Sequence, residues 1–285
     1  MHSRELGLVL AQQILGVDDL HYGLWDADLE LKLSNLAVAQ QRYTDFLIAA
    51  LPSAQPGPVR VLDIGCGTGY VLGQLLERGY LADGLVPSAS LAKLVRKQQQ
   101  KHADRPSHLF ECRFEDFPVQ ENAQKYDVAL FSESFQYIPM DVSISILEKI
   151  LKPGGMLVIC DFFKTEHHGD GGPGDGSFGG GHPMVEFYRM IATTKFSLVR
   201  DEDITARVSP NLQLVNDLLL NTIKPAGLTI DRYLTDNYPK LSWLIHKLLR
   251  KKLERLNYKY FAGNRSRETF ERYKTYHLLV CRLQG

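Results

Sequence analysis

The stretch Val59-Arg-Val-Leu-Asp-Ile-Gly-Cys-Gly-Thr-Gly69 decides the fold. Val59 to Ile64 is a short apolar run of the kind that forms a buried strand, with an acidic residue, Asp63, near its end. Three glycines then alternate, Gly65, Gly67 and Gly69. Without a Cβ, glycine lets the backbone turn sharply and come close to a ligand. A helix predicted from about Tyr70 would aim its first N–H groups at that ligand. A dinucleotide fingerprint, G-x-G-x-x-G, needs its third glycine where this chain has Tyr70, so a nicotinamide cofactor is disfavoured.

Outward from this loop the pattern alternates strand and helix. Strands are predicted at Val59–Ile64, Tyr80–Val86, Ser107–Cys112, Tyr126–Ser132 and Gly155–Phe162. Helices are predicted at Tyr70–Arg78, Ala89–Lys101 and Val142–Leu151, and Lys152-Pro-Gly-Gly155 reads as a turn back into the sheet. This is the signature of an α/β, doubly wound, mostly parallel sheet with its ligand at the carboxyl ends of the strands. Residues 1–52 read as a helical N-terminal segment ending in a Pro/Gly linker, and 53–163 as the ligand-binding core. Residues 164–275 read as a glycine-rich mobile lid, Lys164–Pro183, followed by a helical cap. Within that region helices are expected at Pro183–Phe196, Asn211–Ile223 and Lys240–Leu256, and one core strand at Leu228–Leu234. Residues 276–285 would close the sheet as its seventh strand.

At 285 residues the chain can bury a large core. Lys plus Arg (33) balance Asp plus Glu (33), so no electrostatic argument favours nucleic acid. No apolar run approaches a membrane span, which excludes stable membrane insertion. Met1 to Gly16, with Arg4 and Glu5, reads as an amphipathic helix and not a signal peptide. The four cysteines, Cys66, Cys112, Cys160 and Cys281, are far apart and form no C-x-x-C pair; free thiols in a cytoplasmic protein are the plain reading.

The core, roughly residues 59 to 163 plus the closing strand, resembles the class I, Rossmann-like S-adenosylmethionine (SAM) dependent methyltransferases. The glycine loop, Phe117-Pro118, Tyr126-Asp127-Val128, Lys152-Pro-Gly-Gly155 and the strand order carry the resemblance. Two further segments are similar to the tocopherol- and sterol-type small-molecule enzymes: His21-Tyr22-Gly23-Leu24-Trp25, and Ser132-Glu133-Ser134 with Pro139-Met140-Asp141. The resemblance implies SAM over Asp63, Gly65, Cys66, Gly67 and Gly69, with Arg113, Phe114 and Ser132 also at the cofactor. Tyr22 would close on its methionine part. It also implies a small-molecule acceptor, apolar or aromatic, methylated by in-line displacement. The chain departs from the family at two places. Val86 stands where an acidic residue usually grips the ribose, with Asp83 roughly 10 Å back along the strand, and Arg113 stands where another acid is common. A SAM-using enzyme of another reaction type, or a non-catalytic protein that kept the fold, are the alternative readings.

For catalysis the candidates are Glu133, His182 and Tyr22. Glu133 at a strand's carboxyl end is placed for a base or an acceptor contact, against the plainer role of a helix-start carboxylate. Asp63 reads as an orienting carboxylate for the loop. Cys66 lacks a positioned base and reads as a small filler. His21 reads as a cofactor-closing residue or a core histidine, and Tyr137 as acceptor lining or packing. His167, His168, Asp170, Asp175 and His182 have metal-ligand chemistry but no fixed spacing, so no metal site is expected, and His182 is the one placed to reach the active site. Aromatic residues of the cap (Tyr188, Tyr233, Tyr238, Trp243, Tyr258, Tyr260) suggest an apolar acceptor. The basic, leucine-striped stretch 240–256 reads first as a solvated helix face over a pocket, and second as a membrane-facing or anion-facing surface.

Overall fold

The structure, a computed structural model, describes residues 21–54 and 57–285. The elements in chain order are α1 (Leu36–Ile48), β1 (Arg60–Ile64), α2 (Tyr70–Glu77), β2 (Leu81–Leu85), α3 (Ala89–Lys101), β3 (Leu109–Phe110), β4 (Tyr126–Ser132) and α4 (Met140–Ile150). They continue with β5 (Leu151–Lys164), α5 (Met184–Ile191), β6 (Phe196–Asp203), α6 (Thr205–Val208), α7 (Pro210–Leu218), α8 (Lys224–Asn237), α9 (Pro239–Leu256), α10 (Arg267–Tyr273) and β7 (Lys274–Leu283). The seven strands form one sheet in the order β3-β2-β1-β4-β5-β7-β6. The first five are parallel to their neighbours, and β7 runs antiparallel to both β5 and β6.

The strands are apolar on both faces because helices cover both. Val128 and Leu130 of β4 join one apolar cluster, with Val61, Val158 and Leu72. Ala129 and Phe131, one residue out of phase, join the other, with Leu62, Ile159 and Leu147. The period-two alternation of strand side chains splits each run between the two layers. Asp83, fully buried in β2, ties the layers' polar groups together: it pairs with Arg60 at 2.9 Å and accepts hydrogen bonds from the Tyr126 hydroxyl (3.0 Å) and the His108 N–H (2.9 Å).

The strand expected at Leu228–Leu234 does not form; these residues lie inside helix α8. Pro225 stands in its first turn, a position that tolerates the missing N–H, and a π-helical turn, Leu219–Ile223, feeds directly into it. The short apolar alternation Leu228/Ile230 is overridden by the helix, which pairs with α9 through Thr235 and Ser242 (3.0 Å). The sixth strand is instead Phe196–Asp203, the end of which, Arg-Asp-Glu-Asp, is charged because it borders solvent at the edge of the sheet. The helix expected at Pro183–Phe196 accordingly stops at Ile191. Lys152-Pro-Gly-Gly155 is not a separate turn but a bulge within β5, with Gly154 at φ +76 and a register shift against Tyr126 and Val128. Of the expected N-terminal helical segment, Leu36–Ile48 is helical; Met1–Leu20, including the amphipathic reading of Met1–Gly16, lie outside the described residues.

The loop 165–183, expected as a mobile lid, is strapped down. Asp175 accepts the N–H groups of Gly169 (3.2 Å) and Gly171 (3.1 Å), and Asp170 accepts that of Gly172 (2.8 Å) while pairing with Arg272. Ser177 and Phe178 are buried, Phe178 edge-on to Phe270. Aspartates close to glycine N–H groups thus supply the order that glycine alone cannot.

Candidate functional site

A cavity of about 200 Å³ opens at the carboxyl ends of β1 and β4, lined by His21, Asp63, Gly65, Cys66, Gly67, Val71, Ser132 and Glu133. All of these except Val71 are cofactor or catalytic candidates in the sequence, and the fold brings them together because parallel strands deliver their ends to one side. All three glycines of the loop have left-handed φ (+76, +55 and +84). They are needed for different reasons. A Cβ on Gly65 would lie 2.5 Å from Ser134 Cβ, and one on Gly69 would lie 3.0 Å from the Val95 backbone, so these two serve packing. A Cβ on Gly67 would meet nothing within 4 Å. Gly67 lines the cavity, and open space lies beside its backbone. Beside it, Thr68 is buried and its hydroxyl has no hydrogen-bond partner among the described residues, a polar group of the kind a ligand satisfies.

Glu133 is the conformational outlier. It follows β4 at φ +56, a region that non-glycine residues seldom occupy and that clusters at functional sites. Its N–H donates to the Cys160 carbonyl (2.9 Å), which pins the kink to β5. Its Oε1 accepts hydrogen bonds from the Tyr22 N–H (2.7 Å) and the Tyr276 hydroxyl (3.0 Å). Tyr276 in turn meets the Tyr43 hydroxyl at 3.0 Å, and Tyr43 reaches Ser132 Oγ at 3.3 Å. Burial pushes the Tyr43 and Tyr276 phenols well above their ordinary pKa, with Glu133 adding to both shifts, so both stay protonated. Tyr276 is therefore a permanent donor to Glu133. His21 stacks on Tyr43 (4.9 Å between rings), and its Nδ1 lies 2.8 Å from the Tyr22 carbonyl.

The other predicted residues are placed differently. Tyr22 contributes its backbone to Glu133, while its ring packs against Tyr276 and Phe270. Phe114 is buried in the core, and Arg113 is exposed, paired with Glu115; neither lines the cavity. Val86 is buried, and Asp83 is held by Arg60 and Tyr126, so neither presents a carboxylate to a ribose. His182 does not line the cavity. Its Nε2 points at the carbonyls of Phe135 (3.0 Å) and Ile138 (2.9 Å), so this nitrogen carries the hydrogen and donates to the turn after β4. Tyr137 is exposed. Among the described residues no group of His, Cys, Asp or Glu is arranged to hold a metal ion, and His167 is exposed on the loop. Tyr188, Tyr233, Tyr238, Trp243 and Tyr258 are exposed and Tyr260 is half-buried, and none of the six lines this cavity.

Sequence reasoning missed Asp161. It is fully buried at the carboxyl end of β5, and it accepts from the Gln136 N–H (3.0 Å), the Gln136 amide (3.1 Å) and the Phe162 N–H (2.8 Å). Burial raises its pKa to about 7, partly opposed by those backbone donors. Its position at a strand's carboxyl end, one strand over from Glu133, was a signal available in the sequence. Tyr43 and Tyr276 had none, because α1 and β7 meet only in the fold.

A family model described as methyltransferase domain matches residues 37–190, more than half of the chain, and the chain belongs to that family. Similar proteins include the mitochondrial ubiquinone biosynthesis O-methyltransferase of Mus musculus, 29% identical over 43% of this chain and 35% of that protein. A trans-aconitate 2-methyltransferase from Deinococcus radiodurans is 29% identical over 47% of this chain and 48% of its own. The chain thus spans a third to a half of the curated relatives it matches. A sterol 4-C-methyltransferase of Caenorhabditis elegans, 27% identical over 39% of this chain and 33% of its own, stands at the same level, so the narrower sterol-type likeness is not set apart. Among solved structures, geranyl diphosphate C-methyltransferase from Streptomyces coelicolor, in complex with Mg2+, geranyl-S-thiolodiphosphate and S-adenosyl-L-homocysteine, has a TM-score of 0.67 at 16% identity, covering 96% of this chain and 91% of that one. The [4+2]-cyclase SpnF has a TM-score of 0.65 at 19% identity, covering 99% and 94%. These establish the fold: the class I, Rossmann-like sheet expected from the glycine loop.

Proposed function

We propose that this protein transfers a methyl group from SAM to a small apolar or aromatic acceptor. One observation carries the reading: Glu133, held in a left-handed conformation, lines the same cavity as the open glycine Gly67 and the buried Asp63. When bound, SAM supplies an electrophilic methyl on a sulfonium. The residues at the cavity supply the rest. The loop from Gly65 to Gly69 lets main chain approach the donor, and the buried Asp63 orients that loop. His21, stacked on Tyr43, lines the site and shields one side of it from water, which favours in-line displacement. An acceptor whose proton must leave can give it to Glu133, whose carboxylate is already oriented by Tyr276 and the Tyr22 N–H. Behind Glu133, the rings of Tyr22, Tyr276, Phe162 and Phe270 pack together with neighbouring centroids 5.8–6.4 Å apart, so the side of the site that holds Glu133 is backed by an apolar, aromatic wall.

Calorimetric titration with SAM and with S-adenosylhomocysteine tests the cofactor half. Binding of both, displaced by neither NAD nor ATP, is expected; absence of binding to either would overturn the proposal.

A further inference from the structure

Helices α8 and α9 pack chiefly on each other and on the π-helical turns that flank them, away from the sheet. Among the described residues of the pair only Ser242 is buried. On α9 the Ser242/His246 edge meets α8, through Thr235 and through Asp231 (3.2 Å to His246). A different stripe, Leu241, Leu244 and Leu248 at i, i+3 and i+7, is left uncovered by the described residues, and Leu248 is 72% exposed. Beside that stripe run Lys247, Lys251 and Arg255, four residues apart. In all, α9 carries six basic residues and one acidic one, Glu254, which is paired with Arg250. In a chain with no net charge this helix is therefore a strongly basic island. At its start Pro239, Lys240, Trp243 and Leu244 form an open apolar notch, and the Lys247 ammonium lies 4.6 Å from the Trp243 ring centre.

We propose that the α8–α9 hairpin is a peripheral membrane arm that seats the Leu241/Leu244/Leu248 stripe in the surface of an anionic lipid bilayer. A leucine stripe bordered by Lys and Arg with a tryptophan at the boundary is the composition of a helix lying in the interfacial plane. Eighteen residues give about 27 Å of contact. Charge decides against a second copy of this chain as the occupant: a symmetric pairing through the stripe would set the two Lys247/Lys251/Arg255 rows against each other, with Glu254 already engaged. An anionic surface satisfies the same rows. No helix among the described residues is long and apolar enough to cross a membrane, so the arm lies on the bilayer.

The test is co-sedimentation of the full-length protein with vesicles of phosphatidylcholine alone and of phosphatidylcholine mixed with phosphatidylserine. Binding is expected only with phosphatidylserine and should weaken as salt is raised. The chain has two tryptophans, and Trp25 is buried, so a blue shift of emission on binding reports Trp243. Replacing Lys247, Lys251 and Arg255 with alanine should weaken vesicle binding by about a hundredfold, roughly fivefold for each charge. Leu248→Asp should weaken it as well, with SAM titration unchanged in both variants. No binding to phosphatidylserine vesicles would overturn the proposal. So would a concentration-dependent dimer in sedimentation velocity that Leu248→Asp dissolves, since the stripe would then belong to a second copy.

Discussion

The strands β1 and β4 and the helices α8 and α9 both carry regularly spaced apolar residues, yet they use them in opposite ways. Val128 to Phe131 are wholly buried between two layers of helices, and the polar groups they carry to the sheet's end, Ser132 and Glu133, face a cavity. Leu241, Leu244 and Leu248 are exposed on a helix whose Ser242/His246 edge packs on α8. The lesson is that apolar content alone does not mark a core. In the first region every apolar residue has a partner set by strand pairing; in the second the stripe has no partner among the described residues.

The comparison breaks most visibly at Gly67. Gly67→Val puts a β-branched residue at φ +55 and fills space that is open in the native chain, so SAM binding should fall at least a hundredfold, by calorimetry, with little loss of folding cooperativity. Retained affinity would place the cofactor elsewhere. The next effect is on stability. Asp161 is buried with a folded-state pKa of about 7, above the 3.8 of an ordinary aspartate. Between those values the folded protein holds a proton that the unfolded chain has lost, so this group's contribution declines as pH rises from about 4 through 7, by about 4 kcal/mol in total. Lys274, which burial lowers to about 8, keeps its charge over most of that window. Denaturant midpoints of the wild type and Asp161→Asn between pH 5 and 8 should therefore diverge, the wild type losing ground toward pH 8. Parallel curves would show that Asp161 ionises normally.

The parallel half was legible because its signals are local. Val59–Ile64 followed by alternating glycines specifies strand, turn and helix within a dozen residues, and the strand-end rule then locates Glu133 and Asp63 without tertiary information. The remainder depended on contacts between distant segments. Phe196–Asp203 carries the charges of an edge strand and gave no period; its identity comes from pairing with β7. Leu228–Leu234 showed the period of a strand but had no sheet edge to join, and the helix entering from Pro225 prevailed. The loop 165–183 read as mobile from its glycines, whereas its order comes from Arg272, Tyr273 and Phe270 about a hundred residues later. At the site, the glycine loop was readable. The Tyr43–Tyr276–Glu133 chain was not, because it joins α1, β7 and β4.

Glu133 separates chemistry from binding. Glu133→Gln keeps the size and the accepting oxygen but removes the base, so turnover should fall about a hundredfold with SAM affinity within a factor of a few. Tyr276→Phe should move the pH profile of turnover and not its plateau, because it withdraws one donor from the same carboxylate. An unchanged rate in Glu133→Gln would leave the residue as a clamp on the Tyr22 N–H, and would move the search for a base to Asp161.

The smallest effect belongs to the arm. A charge introduced at Leu248 meets water on a face that is already solvent-exposed, so Leu248→Asp should change the free energy of unfolding by less than about 0.5 kcal/mol in the absence of lipid. At the buried Leu130 of β4, even the milder Leu130→Ala removes packed methyl groups between strands and should cost about 2–5 kcal/mol. Urea midpoints of the two variants measure the contrast directly. A large loss at Leu248 would mean that the stripe packs on this chain in solution, and its exposure would then no longer point to a membrane.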